Sequence, residues 1–379
     1  MIAVESRRAR DGGNKFMLLF VTLRPHTLFI DRRIRNFENL KIDFRHFPLS
    51  RVEYPQLFRR IDAVRGMLVR TPVMISAIAR LQRELRRLGP GDILYVKALD
   101  CLLATLVARL FSRNRSRLIC EILDVHDYLL YPSPYRGIIR ALERFLLARI
   151  DLLVVPTEGN IEQYYRPIAR YAGQIAVVHN RLPSGEAGPC PAPPGHDEAW
   201  VIGWFGNLRC RRSLDILCRT ADKMGPRVRI LMAGPSLFGQ GVLEQAIAPF
   251  SNIVYLGPFK ECEEAPSLYA QVHFSYALHF EPPDRSKWAL AVRIFEGGAY
   301  GRPTLVRAGT DMGRFAGTHG IGLSIEEPCE DALSAALSSL SHRNYADMVE
   351  RVLGQQDLFV GESHLAEALS RVSGPGKVT

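Results

Sequence analysis

The chain has 379 residues, 47% of them apolar and 23% charged, the balance of a folded protein long enough for two domains with separate cores. Its net charge of +10 is uneven: residues 1–182 hold 31 Lys and Arg against 17 Asp and Glu, whereas residues 183–379 hold 18 against 22. No apolar run approaches the roughly 20 residues that span a bilayer, the seven cysteines include no CxxC pair, and no signal-peptide pattern opens the chain; a membrane-spanning, disulfide-framed, zinc-binding or secreted protein is disfavoured and a cytoplasmic one expected.

Residues 1–14, with Arg7, Arg8 and Arg10, read as a flexible tail. Strand-like runs follow at Phe16–Leu23, Asp92–Val96, Arg117–Ile122, Asp151–Val155 and Gln174–Val178, with helical patterns between them. Two of those helices are basic and amphipathic. In one, Ile78, Leu81, Leu85 and Leu88 form an apolar stripe and Arg80, Arg83 and Arg87 a basic one. In the other, Arg136, Arg140 and Arg144 recur every four residues opposite Ile138, Leu142, Phe145 and Leu146. Such helices either lie on anionic lipid or carry a solvated arginine face. Nucleic acid is disfavoured as a partner, because no aromatic residues are interleaved with these arginines for base stacking.

Five prolines and three glycines between Pro183 and Ala199 mark a linker. Strand runs resume at Trp200–Phe205, Arg227–Ala233, Asn252–Leu256, Val272–Tyr276 and Pro303–Val306, followed by helical patterns at Asp331–Leu340 and His364–Val372. Short apolar strands separated by ten or more helical residues predict an α/β protein with parallel sheets covered on both faces. The expected organisation is a Rossmann-like domain over 15–182, a linker over 183–199, a second Rossmann-like domain over 200–350, and a C-terminal helix and tail over 351–379 that can pack back on the first domain.

The densest local signal is Ala291–Val306. It reads as a helix closed by Gly301 and Pro303, with a strand after it. Glu296 sits there among apolar and tiny residues, so its carboxylate needs a partner. It can accept two ribose hydroxyls, or pair with Arg293 three residues earlier. Gly297, Gly298 and Ala299 leave one helix face bare for another backbone or a ligand. Upstream, Gly203–Ser213 reads as a strand, a glycine turn at Gly206 and Asn207, and a helix start rich in Arg209, Arg211 and Arg212. Backbone N–H groups and the helix dipole at such a turn favour an anion, and the guanidinium groups add charge-assisted contacts. Two further strand–Gly–Pro turns follow at Gly234 and Gly257. In the basic half, Asp124, His126 and Asp127 end a strand, where open parallel sheets bind ligands; a buried structural histidine is the plainer alternative.

The spacing of Glu296, Gly301 and Pro303 resembles the donor-site signature of glycosyltransferase family 4, and the resemblance extends over roughly residues 90–310. It implies a GT-B architecture, two Rossmann-like domains facing across a cleft, with the nucleotide-sugar donor on the C-terminal one. It implies that Glu296 grips the ribose, that Gly206, Asn207, Arg209, Arg211, Arg212, Gly234, Gly257 and Arg293 line the donor site, and that His126 faces the donor sugar with Asp124 and Asp127 beside it. Arg212 falls on the position of the family's lysine and Asn207 replaces its arginine. The family's earlier glutamate falls on Trp288, and Glu281 can replace it only across an insertion. The family's glycine-rich first loop is missing too; Arg24, His26, Arg32 and Arg33 stand in that region, where they can read a charged acceptor.

Asp-x-Asp is absent, which disfavours a metal-dependent donor site, and so are the dinucleotide, P-loop and nucleophile-elbow motifs. The expected activity is transfer of a hexose from a UDP- or GDP-sugar to a saccharide or lipid-linked acceptor, retaining and metal-independent, with no cofactor besides the nucleotide-sugar substrate, in surface-polysaccharide synthesis at the inner face of a membrane. A nucleotide-sugar epimerase of the same architecture, or a non-catalytic scaffold, is the alternative.

Overall fold

The computed structural model describes residues 6–7, 16–50, 75–187 and 199–373. The chain forms two compact units, Met1–His179 with Glu362–Thr379, and Asn180–Gly361. Most of the proline-rich stretch, residues 188–198, lies outside the described residues, and so do Cys190 and residues 51–74. The passage between units after His179 comes ahead of that stretch, and Leu182 already pairs with Val360.

The N-terminal unit runs β1 (Ser6–Arg7), β2 (Met17–Thr22), α1 (Leu28–Asn39), β3 (Asp43–Pro48), α2 (75–85), β4 (Ile93–Lys97), α3 (Leu99–Leu110), β5 (Arg117–Glu121), α4 (Asp127–Leu130), α5 (Arg136–Leu147), β6 (Leu152–Val155), α6 (Glu158–Asn160) and β7 (Ile175–Val177). Its sheet has the order β1-β3-β2-β4-β5-β6-β7, parallel except for β1. Ser6 and Arg7 pair with Arg45 and Phe44; the rest of residues 1–14, read as a flexible tail, lies outside the described residues. β3 was not legible as a strand: Asp43, Arg45 and His46 interrupt its apolar residues, and only Phe44 and Phe47, three apart, are buried.

The two basic helices are used differently. On α2, Leu81 and Leu85 are buried and Arg83 and Arg87 exposed, an ordinary surface helix. On α5, Arg140 and Arg144 reach loop carbonyls, and Arg144 stays exposed. Arg140 donates to the Leu129 carbonyl at 2.9 and 2.5 Å, and Arg144 to the carbonyls of Ala169 and Ile168 at 3.1 and 2.8 Å. These loop carbonyls need donors, and a long guanidinium supplies two at once. Leu146 is buried as expected, but Ile138, Leu142 and Phe145 are exposed.

The C-terminal unit runs β8 (Trp200–Phe205), α7 (Arg211–Met224), β9 (Val228–Ala233), α8 (Val242–Ile247), β10 (Ile253–Tyr255), α9 (Glu261–Ala270), β11 (Phe274–Tyr276), α10 (Arg285–Trp288), α11 (Val292–Ala299), β12 (Thr304–Arg307), α12 (Asp311–His319), β13 (Gly322–Ile325), α13 (Cys329–Ser339) and α14 (His342–Leu353). Its six strands are all parallel in the order β10-β9-β8-β11-β12-β13. That is the order 3-2-1-4-5-6 of the dinucleotide-binding fold, with its switch point between β8 and β11. The sheet is buried on both faces, by a cluster around Trp204, Leu214, Ile230 and Tyr276 and by another around Phe205, Leu231, Tyr269 and Phe295.

The last helix, α15 (Ser363–Ser373), belongs to the N-terminal unit. Leu365, Ala368 and Leu369 join its core with Leu18, Phe20 and Ile119, and Glu362 accepts from Asn39 at 2.7 Å. The five described cysteines are free thiols.

Candidate functional site

Three glycine turns follow β8, β9 and β10 and interlock at the carboxyl edge of the C-terminal sheet. Gly206 takes φ +99° and donates to the Ala233 carbonyl at 2.9 Å; Gly234 takes φ +128° and donates to the Gly257 carbonyl at 2.8 Å. A Cβ on Gly234 would stand 2.0 Å from the Gly206 carbonyl oxygen, so no other residue lets these two backbones meet. Gly257, at φ +83°, has open space where its side chain would be. Tyr255 ties the cradle down, its hydroxyl donating to the Gly234 carbonyl at 2.9 Å.

Cations converge on the first turn. Arg293, from the first turn of α11, donates to the carbonyl of Phe205 and, at 2.8 Å, to that of Asn207. Its Nε lies 3.6 Å from the place a Gly206 Cβ would occupy. Carbonyls satisfy the guanidinium N–H groups but leave its charge. Burial holds Arg293 below the usual arginine range, and Glu296, one turn along α11, works against that shift. His279 follows β11 on the other side of the switch point. Burial, then Arg293, Arg209 and Arg285, press its imidazole down to about 3, so it is neutral at pH 7. Arg209 and Asn207 are exposed.

The structure thus brings Gly206, Asn207, Arg209, Gly234, Gly257, Arg293 and Glu296 to one edge. Arg211 and Arg212 are drawn to carboxylates instead. Arg211 pairs with Asp215 at 3.2 Å, one turn along α7. Arg212 pairs with Glu330 at 2.8 Å and Glu327 at 2.6 Å and lies over the Phe280 ring, and hydrogen bonding to Glu330 raises it further above the ordinary arginine range. Glu281 is exposed. Trp288, where the family carries its earlier glutamate, is buried. Gly297 and Gly298 serve packing: a Cβ on either would strike Ser275 or the Phe359 ring. Sequence reasoning missed His279 and Arg285. The signal available was their position between the third turn and Glu296, with nothing local to say where they converge.

In the N-terminal unit, Asp124, His126 and Asp127 follow β5 and are exposed, and His126 stacks on Tyr128 with ring centroids 4.9 Å apart. Exposure sets aside the buried-histidine alternative. Beside them at the same sheet edge lies a buried ion cluster. Arg33 makes a two-pronged contact with Glu121 at 2.5 and 3.3 Å, and Lys97 stands 3.7 Å from the same carboxylate. Burial would raise Glu121, but Arg33 and then Lys97 outweigh it and hold it at about 2. Burial brings Lys97 down to about 8. Arg33 is therefore not a surface residue that reads a ligand, whereas Arg24 and His26 are exposed.

This fold is the GT-B fold of solved glycosyltransferases. The Rickettsia africae glycosyltransferase matches it with a TM-score of 0.68 at 11% identity, over 96% of this chain and all of that one. Anabaena HepE, solved with UDP and glucose, matches with a TM-score of 0.61 at 15% identity, over 94% of this chain and all of that one. No family profile matches the sequence. By sequence, the succinoglycan biosynthesis protein ExoL of Rhizobium meliloti (strain 1021) is 30% identical over 295 residues, 73% of this chain and 72% of ExoL. The chain belongs to the ExoL family.

Proposed function

We propose that the protein transfers a hexose from a UDP- or GDP-sugar, held by the C-terminal unit, to a saccharide or lipid-linked acceptor in exopolysaccharide synthesis at the inner face of a membrane. The relationship to ExoL supports the process. One observation carries the chemistry: at the switch point of the C-terminal sheet, interlocked glycine turns meet Arg293, with Arg209 beside it and Glu296 one turn along α11. In this reading the turns and the two arginines hold the diphosphate, and the Glu296 carboxylate accepts the ribose hydroxyls. Charge grows on the departing diphosphate as the glycosidic bond breaks, and fixed cations already in place stabilise it without reorganising. His126, Asp124 and Asp127 serve the reacting sugar and acceptor. Retention is the proposed outcome, with the leaving phosphate taking the acceptor proton; Asp124 or Asp127 is the base if the course inverts.

The test is a panel of UDP- and GDP-sugars assayed for turnover with saccharide and lipid-linked acceptors, in EDTA. The Glu296→Ala variant should lose about 100-fold or more in turnover, a barrier increase of roughly 3 kcal/mol, with an unchanged thermal midpoint. Equal turnover by wild type and variant removes the ribose assignment. Turnover that needs an added divalent metal removes the metal-independent one. Free epimerised sugar without acceptor favours the epimerase.

A further inference from the structure

α5 carries a row that faces away from its own core. Tyr135, Ile138, Leu142 and Phe145 are 58%, 71%, 39% and 54% exposed, at helical spacing along one face. Leu110 and Phe111, at the end of α3, are 78% and 66% exposed. The crossovers β4–α3–β5 and β5–α5–β6 are consecutive, so the packed helices α3 and α5 finish at the same edge of the sheet, which places Leu110 and Phe111 at the end of α5 that carries Phe145. An apolar face of this extent on a folded unit marks an interaction site.

Its rim is cationic. The one acid on α5, Glu143, is buried and accepts from Tyr164 at 2.5 Å, so the helix shows only arginine charge to solvent. Arg149 lies over the Phe145 ring, and Arg113, Arg115 and Arg144 are exposed. Asp151 is already paired with Arg117 at 3.1 Å. A second copy docked face to face would bring these arginines against themselves, whereas an anionic bilayer meets both the apolar row and its rim.

We propose that Tyr135, Ile138, Leu142 and Phe145 on α5, with Leu110 and Phe111, form the face by which this protein lies on an anionic lipid bilayer. The apolar side chains enter the headgroup boundary while Arg113, Arg115, Arg144 and Arg149 stay among the phosphates. This deepens the reading of an enzyme at a membrane surface, and it is tested without sugar transfer, so the two fail separately.

The full chain is floated with vesicles of phosphatidylglycerol and phosphatidylcholine, and with phosphatidylcholine alone. Wild type should float with the first and, at most weakly, with the second, and salt should weaken binding. The double variant I138E/F145E should partition about 10-fold less or lower, at unchanged thermal midpoint and UDP-sugar affinity. An environment-sensitive dye on Leu142→Cys should shift to the blue when the anionic vesicles are added. Failure of wild type to float, equal flotation of the double variant, or an unshifted dye overturns the proposal. So does a concentration-dependent dimer that the double variant abolishes.

Discussion

The two carboxyl sheet edges of this molecule are built on similar parallel frameworks and treat their arginines in opposite ways. In the N-terminal unit, Arg33 is buried and paired with both oxygens of Glu121, which Lys97 also approaches. In the C-terminal unit, Arg293 is bound to the neutral carbonyls of Phe205 and Asn207, and Arg209 stands exposed close enough to act on the same histidine. Geometry fixes both guanidinium groups: a carboxylate that Lys97 shares holds the first, and neutral carbonyls hold the second, with Glu296 one turn along α11. The glycine turns follow the same division: they cluster after β8, β9 and β10, while the turn after β2 is Leu23-Arg24-Pro25.

The largest expected effect tests the carboxylate-held side. Glu121→Gln leaves Arg33 and Lys97 buried without their carboxylate, and should cost about 3–5 kcal/mol of stability at pH 7 in denaturant unfolding. The pH dependence has a defined sign. Glu121 ionises near 4.5 when unfolded and at about 2 when folded, so the unfolded chain binds the extra proton in that window. Its contribution is present above pH 4.5 and lost as pH falls toward 2, and the variant should lack that part of the acid slope. An unchanged slope means the pair is not what holds this edge.

On the carbonyl-held side, Arg209→Ala should weaken UDP-sugar binding about 10- to 100-fold, the worth of one charge-assisted contact to phosphate, and leave stability within about 0.5 kcal/mol because the side chain is exposed. Calorimetry and thermal unfolding on one preparation separate the two. If affinity holds and stability falls, the contrast between the edges is lost.

Much of this was legible because it is local. Strand runs, the three Gly turns and the Glu296 helix each fit within about a dozen residues. What was not legible is convergence. Arg33 and Glu121 are 88 positions apart, and nothing near either names the other. α5 showed two stripes, but what its arginines reach depends on the carbonyls of Leu129, Ile168 and Ala169, outside the helix. The short edge strand Gly322–Ile325 was missed for a related reason: it pairs on one side only, with β12, and gives little apolar signal.

Arg212 is where sequence and structure part most usefully, and it yields the smallest expected effect. By its place in the motif it falls on the lysine position of the family 4 signature that the segment resembles. In the structure its guanidinium is shared between Glu327 and Glu330 above Phe280, and Arg307 holds Glu327 from the other side at 2.9 Å. A cation with two carboxylates attached offers a diphosphate little net charge, and at this partly exposed position the pairs themselves contribute about 1 kcal/mol or less. Arg212→Ala should therefore shift stability by no more than that and change UDP-sugar affinity less than 3-fold, well short of Arg209→Ala. A loss equal to that of Arg209→Ala would mean that donor binding breaks the Glu327 and Glu330 pairs and recruits Arg212, and the double variant Glu327→Gln, Glu330→Gln would then bind the donor more tightly than wild type.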